Sequence, residues 1–194
     1  MHKLIEWDQW LFGLLNREWT NSFFDKIFPI FRNQTTWYPL YGLLLILAIF
    51  WLRKDAIWFA ICYILSVVIS DQVGMIFKNG FGRLRPCRQT VIPFRQIVEY
   101  CPSSYSFISN HASNHFAMAA FVFFALPKLN VWIRVLFLFW AAMICYAQVY
   151  VGVHYPADVF AGGCVGFLIG WAMSKLYFFL VNKFNLNKSS AKIS

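Results

Sequence analysis

Five apolar runs, parted by short polar or basic breaks, dominate the chain and dictate what it can fold into. They are Trp37 to Leu52, Ala56 to Phe77, Ala112 to Leu126, Val131 to about Tyr150, and Val159 to about Val181. In a bilayer every backbone N–H and C=O must be satisfied internally, and a helix of ~20 apolar residues does this. Only 13% of the residues are charged and 60% are hydrophobic, against about 25% charged in a soluble domain. The expected fold is therefore all-α: a polytopic membrane helical bundle of about five to six spans with N-terminal amphipathic interface helices.

Residues 1–36 are read as that interface segment. Leu4 to Leu15 places Trp7, Trp10, Leu11 and Leu14 at helical spacing, and Trp19 to Phe31 is interrupted by Asp25, Lys26 and Pro29. Neither offers the ~20 apolar residues of a span; a tilted extra span or hairpin is the alternative. Met1 to Asp8 lacks the basic start and apolar core of a signal peptide, so the spans themselves are expected to direct insertion. Residues 37–181 form the membrane domain, and 182–194, with Lys183, Lys188 and Lys192, read as a disordered basic tail. Gly162, Gly163, Gly166 and Gly170 are spaced for close helix contact.

Arg53-Lys54, Lys128 and the tail lysines alternate onto one side, the expected cytoplasmic side. The loop from Lys78 to about Asn110 and the stretch Ala147 to Asp158 then share the opposite side. That loop is basic against the usual bias: Lys78, Arg83, Arg85, Arg88 and Arg95 face only Glu99 within it. A functional demand for cations resolves the conflict. The net charge of +9 otherwise fits basic loops beside anionic lipid, and no nucleic-acid partner is expected. Arg95 and Glu99, four apart, read as a solvated helical pair. Cys62, Cys145 and Cys164 read as core residues; Cys87 and Cys101, in the loop, either stay free or pair if it faces an oxidising compartment. With no CxxC and scattered histidines, neither a metal site nor a cofactor is expected.

Three polar clusters interrupt the apolar chain, all on the same expected membrane face. The first runs from Lys78 to Pro86, the second from Tyr105 to His115, the third from Ala147 to Asp158. Together they supply what phosphoryl transfer needs. Lys78 and Arg85 are cations able to clamp a phosphate. Gly80 and Gly82 allow the chain to turn between them. Ser109 precedes a helix start, where free N–H groups favour anions, and His111 follows, suited to proton transfer. His154 and Asp158 read as a nucleophile and the carboxylate that orients it. His115 reads as structural. Asp71, two turns before Lys78, reads either as its electrostatic support or as the cap of a polar gap.

Lysine, six residues, then Arg-Pro; Ser-x-His; and Tyr-x-Gly-Val-His-x3-Asp: this series resembles the type 2 phosphatidic acid phosphatase superfamily over residues 37–180. The resemblance implies an antiparallel membrane bundle with its site at the non-cytoplasmic surface. It implies Lys78, Arg85, Ser109 and the backbone N–H of Asn110 as phosphate ligands. It implies His111 as general acid and then base, and His154 as the nucleophile forming a phosphohistidine, oriented by Asp158. Two positions depart from the family pattern. Asn110 replaces a glycine, which a left-handed backbone would tolerate. Gln148 stands where an arginine is usual; it can donate to a phosphate but brings no charge. A charge-assisted bond contributes roughly 1.5–3 kcal/mol against ~1 for a neutral one, so the loss is expected to slow catalysis by about a decade unless Arg83 or Arg88 compensates.

The expected function is that of a metal-independent lipid phosphatase in a bacterial cytoplasmic membrane, acting at the periplasmic face. Undecaprenyl diphosphate, phosphatidylglycerol phosphate, phosphatidic acid and the phosphates of lipid A are all candidate substrates. Two other classes are weighed: a vanadate-dependent haloperoxidase, disfavoured by the spans, and a degenerate relative that binds or moves lipid without catalysis. The sequence leaves the oligomeric state open.

Overall fold

The computed structural model describes residues 2–89 and 92–190, with side chains from residue 3 to residue 184. Among the described residues the chain forms seven α-helices: α1 (His2–Gly13), α2 (Ser22–Phe31), α3 (Tyr38–Leu52), α4 (Ala56–Phe81), α5 (Asn110–Ala125), α6 (Val131–Tyr150) and α7 (Pro156–Ser190). A π-helical turn, Leu14–Glu18, links α1 towards α2.

Among the described residues, three segments are long and apolar enough to cross a membrane: Gln34–Phe81, Val131–Tyr150 and Pro156–Phe184. The first is broken between α3 and α4 at Arg53–Asp55, where Arg53 takes a φ of +50°. Helix α5, expected as a short span, has 16 residues and is enclosed by the bundle. Its small side chains permit this: Ala112, Ala117, Ala119 and Ala120 are all fully buried. Against it lies α7, and here the glycine spacing explains the approach. A Cβ at Gly162 would stand 2.6 Å from the Ser109 carbonyl oxygen, and one at Gly166 or Gly170 would collide with the Ser113 or Ala117 carbonyl. Phe59, Tyr63, Phe121 and Tyr177 join α4, α5 and α7 in one aromatic core.

The helix directions alternate, so one end of the bundle collects the C-terminus of α4, the N-terminus of α5, the C-terminus of α6 and the N-terminus of α7. All three polar clusters meet there. Gly82, with φ +59°, ends α4 in the left-handed conformation that lets the loop turn back. Gly80 remains helical, so the turn rests on Gly82 alone. Gly152, with φ +86°, turns the chain after α6, and a Cβ there would meet the Arg95 carbonyl oxygen at 3.0 Å.

The N-terminal segment is bound into this end of the bundle. Its exposed face carries Leu4, Trp7, Trp10, Trp19 and Phe23, while Phe12 and Phe28 are buried. Phe28 meets Tyr146 and Tyr150 of α6 edge-on, with ring centroids 5.2 and 4.8 Å apart. Asn16, fully buried, donates to the carbonyls of Arg95 and Tyr150 at 2.9 and 2.8 Å and accepts from the Arg95 N–H at 2.7 Å.

Several details correct the sequence reading. Arg95 lies in irregular chain and pairs with Asp25 at 2.8 Å, not with Glu99. That choice follows from the Asn16 bonds, which hold Arg95 against the N-terminal segment. Cys164 is exposed, whereas Cys62 and Cys145 are buried. Cys87 and Cys101 form a disulfide. Helix α7 runs to Ser190, well into the stretch expected as a disordered tail. Lys192 and the other residues after 190 lie outside the described residues, as does the side chain of Lys188.

Candidate active site

His154 occupies the turn between α6 and α7 and is almost fully buried. Its backbone N–H bonds the Gln148 carbonyl at 3.3 Å, which fixes the turn. Four residues on, in the first turn of α7, Asp158 sets its Oδ2 3.4 Å from His154 Nδ1. The same oxygen accepts the Tyr155 N–H at 2.9 Å and the Ser106 hydroxyl. Ser106 Oγ also lies 3.3 Å from His154 Nδ1. With Nδ1 facing a carboxylate, the proton belongs on Nδ1 and the lone pair on Nε2. Arg85 Nη1 donates to that lone pair at 2.9 Å. Burial holds the imidazole down to about 3, outweighing the attraction of Asp158, so His154 is neutral at ordinary pH.

Arg85 is itself buried and anchored. Its Nε donates to the Ser104 carbonyl at 2.8 Å, Nη2 to Ser104 Oγ at 3.0 Å, and Nη1 also to the Val153 carbonyl at 3.0 Å. Burial brings this guanidinium to about 10, Asp158 opposing the fall and Arg32 and Arg88 adding to it. Lys78 points its Nζ into a cradle of carbonyl oxygens, those of Tyr105 at 2.9 Å, Ser106 at 3.4 Å and Ile108 at 2.8 Å. In this arrangement it organises the loop that leads into α5.

Ser109 stands just before α5, as expected, and caps it: its Oγ accepts the Ala112 N–H, and its own N–H bonds the Asp158 carbonyl at 3.0 Å. Asn110 opens the helix with ordinary backbone; among the described non-glycine residues only Arg53 has a positive φ. The left-handed explanation for Asn110 therefore fails. Space admits it instead, because its side chain lies against Gly74 and donates to Asp71 Oδ1 at 2.8 Å. Asp71 also takes Asn114 at 3.4 Å, so it ties α4 to α5 and makes no bond to Lys78. His111 lies half-buried in the first turn of α5, where burial above all, and then His115 and the cation Arg32, hold its pKa well below the ordinary imidazole value. His115 bonds the His111 carbonyl at 2.7 Å and the Tyr41 hydroxyl at 2.8 Å, a structural role that steadies the first turn.

Neither arginine named as a substitute for the missing charge at position 148 is free for it. Arg88 donates to the Ser103 carbonyl at 2.9 Å. Arg83 bridges Asp8 and Asp158 and lies over the Tyr155 ring. Burial pulls this guanidinium down, but the two carboxylates outweigh it and its pKa is raised. Gln148 is fully buried; its Oε1 accepts from Arg32 Nε at 3.3 Å, and its Nε2 has no partner among the described residues. Asp8, Ser106 and Arg32 were not singled out from the sequence. The one available signal was the rarity of acids: with only 8 in the chain, Asp8 in an apolar segment needed a partner.

A groove of about 430 Å³ opens beside this cluster, between α3, α4 and α5. His111 and Asp71 line it with Tyr38, Tyr41, Val67 and Met118. Polar chemistry therefore adjoins an aromatic and aliphatic channel.

A sequence model of the PAP2 superfamily matches residues 55–181. The chain is 28% identical over 173 residues to the lipid A 4'-phosphatase of Bacteroides thetaiotaomicron, covering 84% of this chain and 72% of that protein. It is 31% identical over 136 residues to the undecaprenyl-diphosphatase of Sulfolobus acidocaldarius, covering 70% of this chain and 61% of that one. The crystal structure of Aquifex aeolicus LpxE superposes with a TM-score of 0.67 at 24% identity, over 85% of this chain and 93% of that chain.

Proposed function

This chain belongs to the PAP2 superfamily, and from that premise we propose that it removes phosphate from a lipid at the membrane surface, with His154 as nucleophile. It is an integral-membrane lipid phosphatase. The observation that carries the assignment of His154 is its neutral, buried ring, held by Asp158 on one nitrogen and meeting Arg85 on the other.

A phosphate clamped by Arg85 takes over the Nη1–H now given to Nε2, and so frees the lone pair. The bound phosphate dianion offsets the burial and the cations that keep His111 neutral, so His111 takes up a proton as substrate binds. Nε2 attacks phosphorus, the bond from phosphorus to the lipid oxygen breaks, and His111 protonates the departing oxygen. His111 then accepts a proton from water as that water attacks the phosphohistidine. Inorganic phosphate leaves and Nε2 regains its lone pair. The N–H groups at the start of α5 and the cations Arg85 and Lys78 favour the anion throughout.

The preferred substrate is a lipid A phosphate monoester, supported by the relative that covers 84% of the chain. Undecaprenyl diphosphate is the second reading, supported by the relative at 31% identity. The groove beside His111 suits an acyl or prenyl chain. The membrane is the cytoplasmic membrane of a bacterium and the site faces the periplasm. The basic Arg53-Lys54 turn at the far end of the bundle supports that orientation, as does the Cys87–Cys101 disulfide, which needs an oxidising compartment. Phosphate release by purified protein in detergent, with lipid A, a C55 diphosphate, phosphatidylglycerol phosphate and phosphatidic acid compared, tests the proposal. Release from lipid A that His154→Ala abolishes is the expected result. Equal, negligible release by both proteins from every lipid overturns it.

A further inference from the structure

Arg32 ends α2, with its backbone N–H bonded to Phe28 O. Its position is not left to a mobile terminus. Phe28 is wedged between Tyr146 and Tyr150. One turn back, Asp25 takes Arg95 at 2.8 Å and the Tyr150 hydroxyl at 2.7 Å. These contacts fasten α2 to α6, the helix that carries Gln148. The guanidinium so delivered gives its Nε to Gln148 Oε1 at 3.3 Å.

Two features of this pair are costly as structure alone. Arg32 is half-buried, its pKa is lowered by the partial loss of solvent, and no carboxylate lies within ion-pair distance of it among the described residues. A desolvated cation normally has an anionic partner. Gln148, fully buried, keeps Nε2 without any acceptor. One arrangement answers both: an anion that receives the Gln148 amide and the free end of the Arg32 guanidinium together. The backbone carbonyl of the same Gln148 accepts the N–H groups of Val153 and His154, and Arg85 bonds the Val153 carbonyl and His154 Nε2, so that anion falls among the groups already assigned to the phosphate.

We propose that Arg32, presented by the N-terminal segment and seated on Gln148, is a phosphate-binding residue of the active site and supplies the charge that position 148 lacks. The inference rests on the phosphatase reading and adds a ligand to it. The two residues together do what one arginine on α6 would do, with the cation carried on a different helix.

The test uses the full-length protein in detergent, with two readouts: lipid phosphate release, and binding of orthovanadate followed by thermal shift. Arg32→Gln keeps a side chain of similar reach without the charge, and Arg32→Ala removes both. Both variants are expected to bind vanadate about 10- to 100-fold more weakly and to lose kcat/KM by a similar factor, with Arg32→Lys recovering part of each. Gln148→Arg in the Arg32→Ala background is expected to restore both. Wild-type vanadate affinity in a folded Arg32→Gln variant overturns the inference. So does a double variant that regains thermal stability but no affinity, because Arg32 would then be only a structural tie. Vanadate binding separates the two ideas. A wild type that releases no phosphate yet loses vanadate affinity on Arg32→Gln keeps the ligand and rejects the phosphatase. An active wild type with an indifferent Arg32 does the reverse.

Discussion

Arg83 Nη1 stands 2.7 Å from Asp158 Oδ1, so the carboxylate facing His154 is itself held by a cation just past the end of α4. The other terminal nitrogen of Arg83 takes Asp8, whose second oxygen accepts the Ala157 N–H at 2.7 Å. Helix α1 thereby pins the first turn of α7 in two places.

Arg83 is a positioning residue, and its removal leaves Asp158 short of a partner in a buried setting. Breaking such a pair costs about 3–5 kcal/mol. Arg83→Ala is expected to lower kcat at least tenfold and to lower the Tm, with vanadate affinity little changed; Arg83→Lys should recover part of the Tm. Steady-state kinetics beside thermal shift checks this, and a large loss of vanadate affinity with kcat intact would assign Arg83 to the phosphate instead.

The pH behaviour of His154 has a definite sign. Its folded pKa, about 3, lies below the ordinary value of 6.5 because of burial. The stability this contributes is therefore fully present above about pH 6.5 and is lost as pH falls towards 3. His154→Gln should flatten the fall in Tm between pH 6.5 and pH 4 relative to wild type. The same depression means that His154 does not set the acid limb of kcat/KM near neutrality; a wild-type limb near 6.5 that vanished in a folded, partly active Asp158→Asn variant would contradict it.

The disulfide joins Cys87 to Cys101, and immediately beyond it Ser104 and Ser103 hold Arg85 and Arg88, so the cross-link keeps the two stretches of that contact together. A loop of about 15 residues contributes roughly 3 kcal/mol when cross-linked. Cys87→Ser with Cys101→Ser should lower the Tm and reduce activity severalfold, and dithiothreitol should reproduce both in wild type only. Non-reducing electrophoresis reports the bond directly; wild-type activity and Tm in the double variant would show that the loop holds itself.

Close approach of α5 and α7 leaves no room for side chains at the glycines between them. Gly166→Ala drives a methyl into the Ser113 carbonyl, and overpacking of this kind costs about 1–3 kcal/mol. Gly42→Ala, where nothing lies within 4 Å, is the control and should leave the Tm unchanged. Thermal denaturation of the two variants in the same detergent compares them.

Much of this was legible in the sequence. The apolar runs indicated helices, and motif spacing brought His154, Asp158, Arg85 and Ser109 to one end. The contacts that complete the site were not legible, because their partners lie far apart in the chain: Asp8 with Ala157, Arg32 with Gln148, Asn16 with Tyr150. No periodicity connects such pairs. Arg95 was misassigned for the same reason, since a neighbour four residues away was visible and Asp25 was not. Asn110 was explained by backbone conformation when the answer was the missing side chain of Gly74 on another helix. Patterns along the chain report what one helix can do; which residues face one another across helices is decided by packing.

The bonds from Asp8 to Ala157 and from Arg32 to Gln148 also govern the order of assembly. These two contacts of the first helices synthesised are made with the last, so loop closure over more than a hundred residues precedes the final geometry. A nascent chain that has inserted α3 to α6 offers Asp8 its Arg83 partner but has neither Asp158 nor the Ala157 N–H. Catalytic competence is consequently late to form, because it waits for the first turn of α7 to reach the helices made long before it.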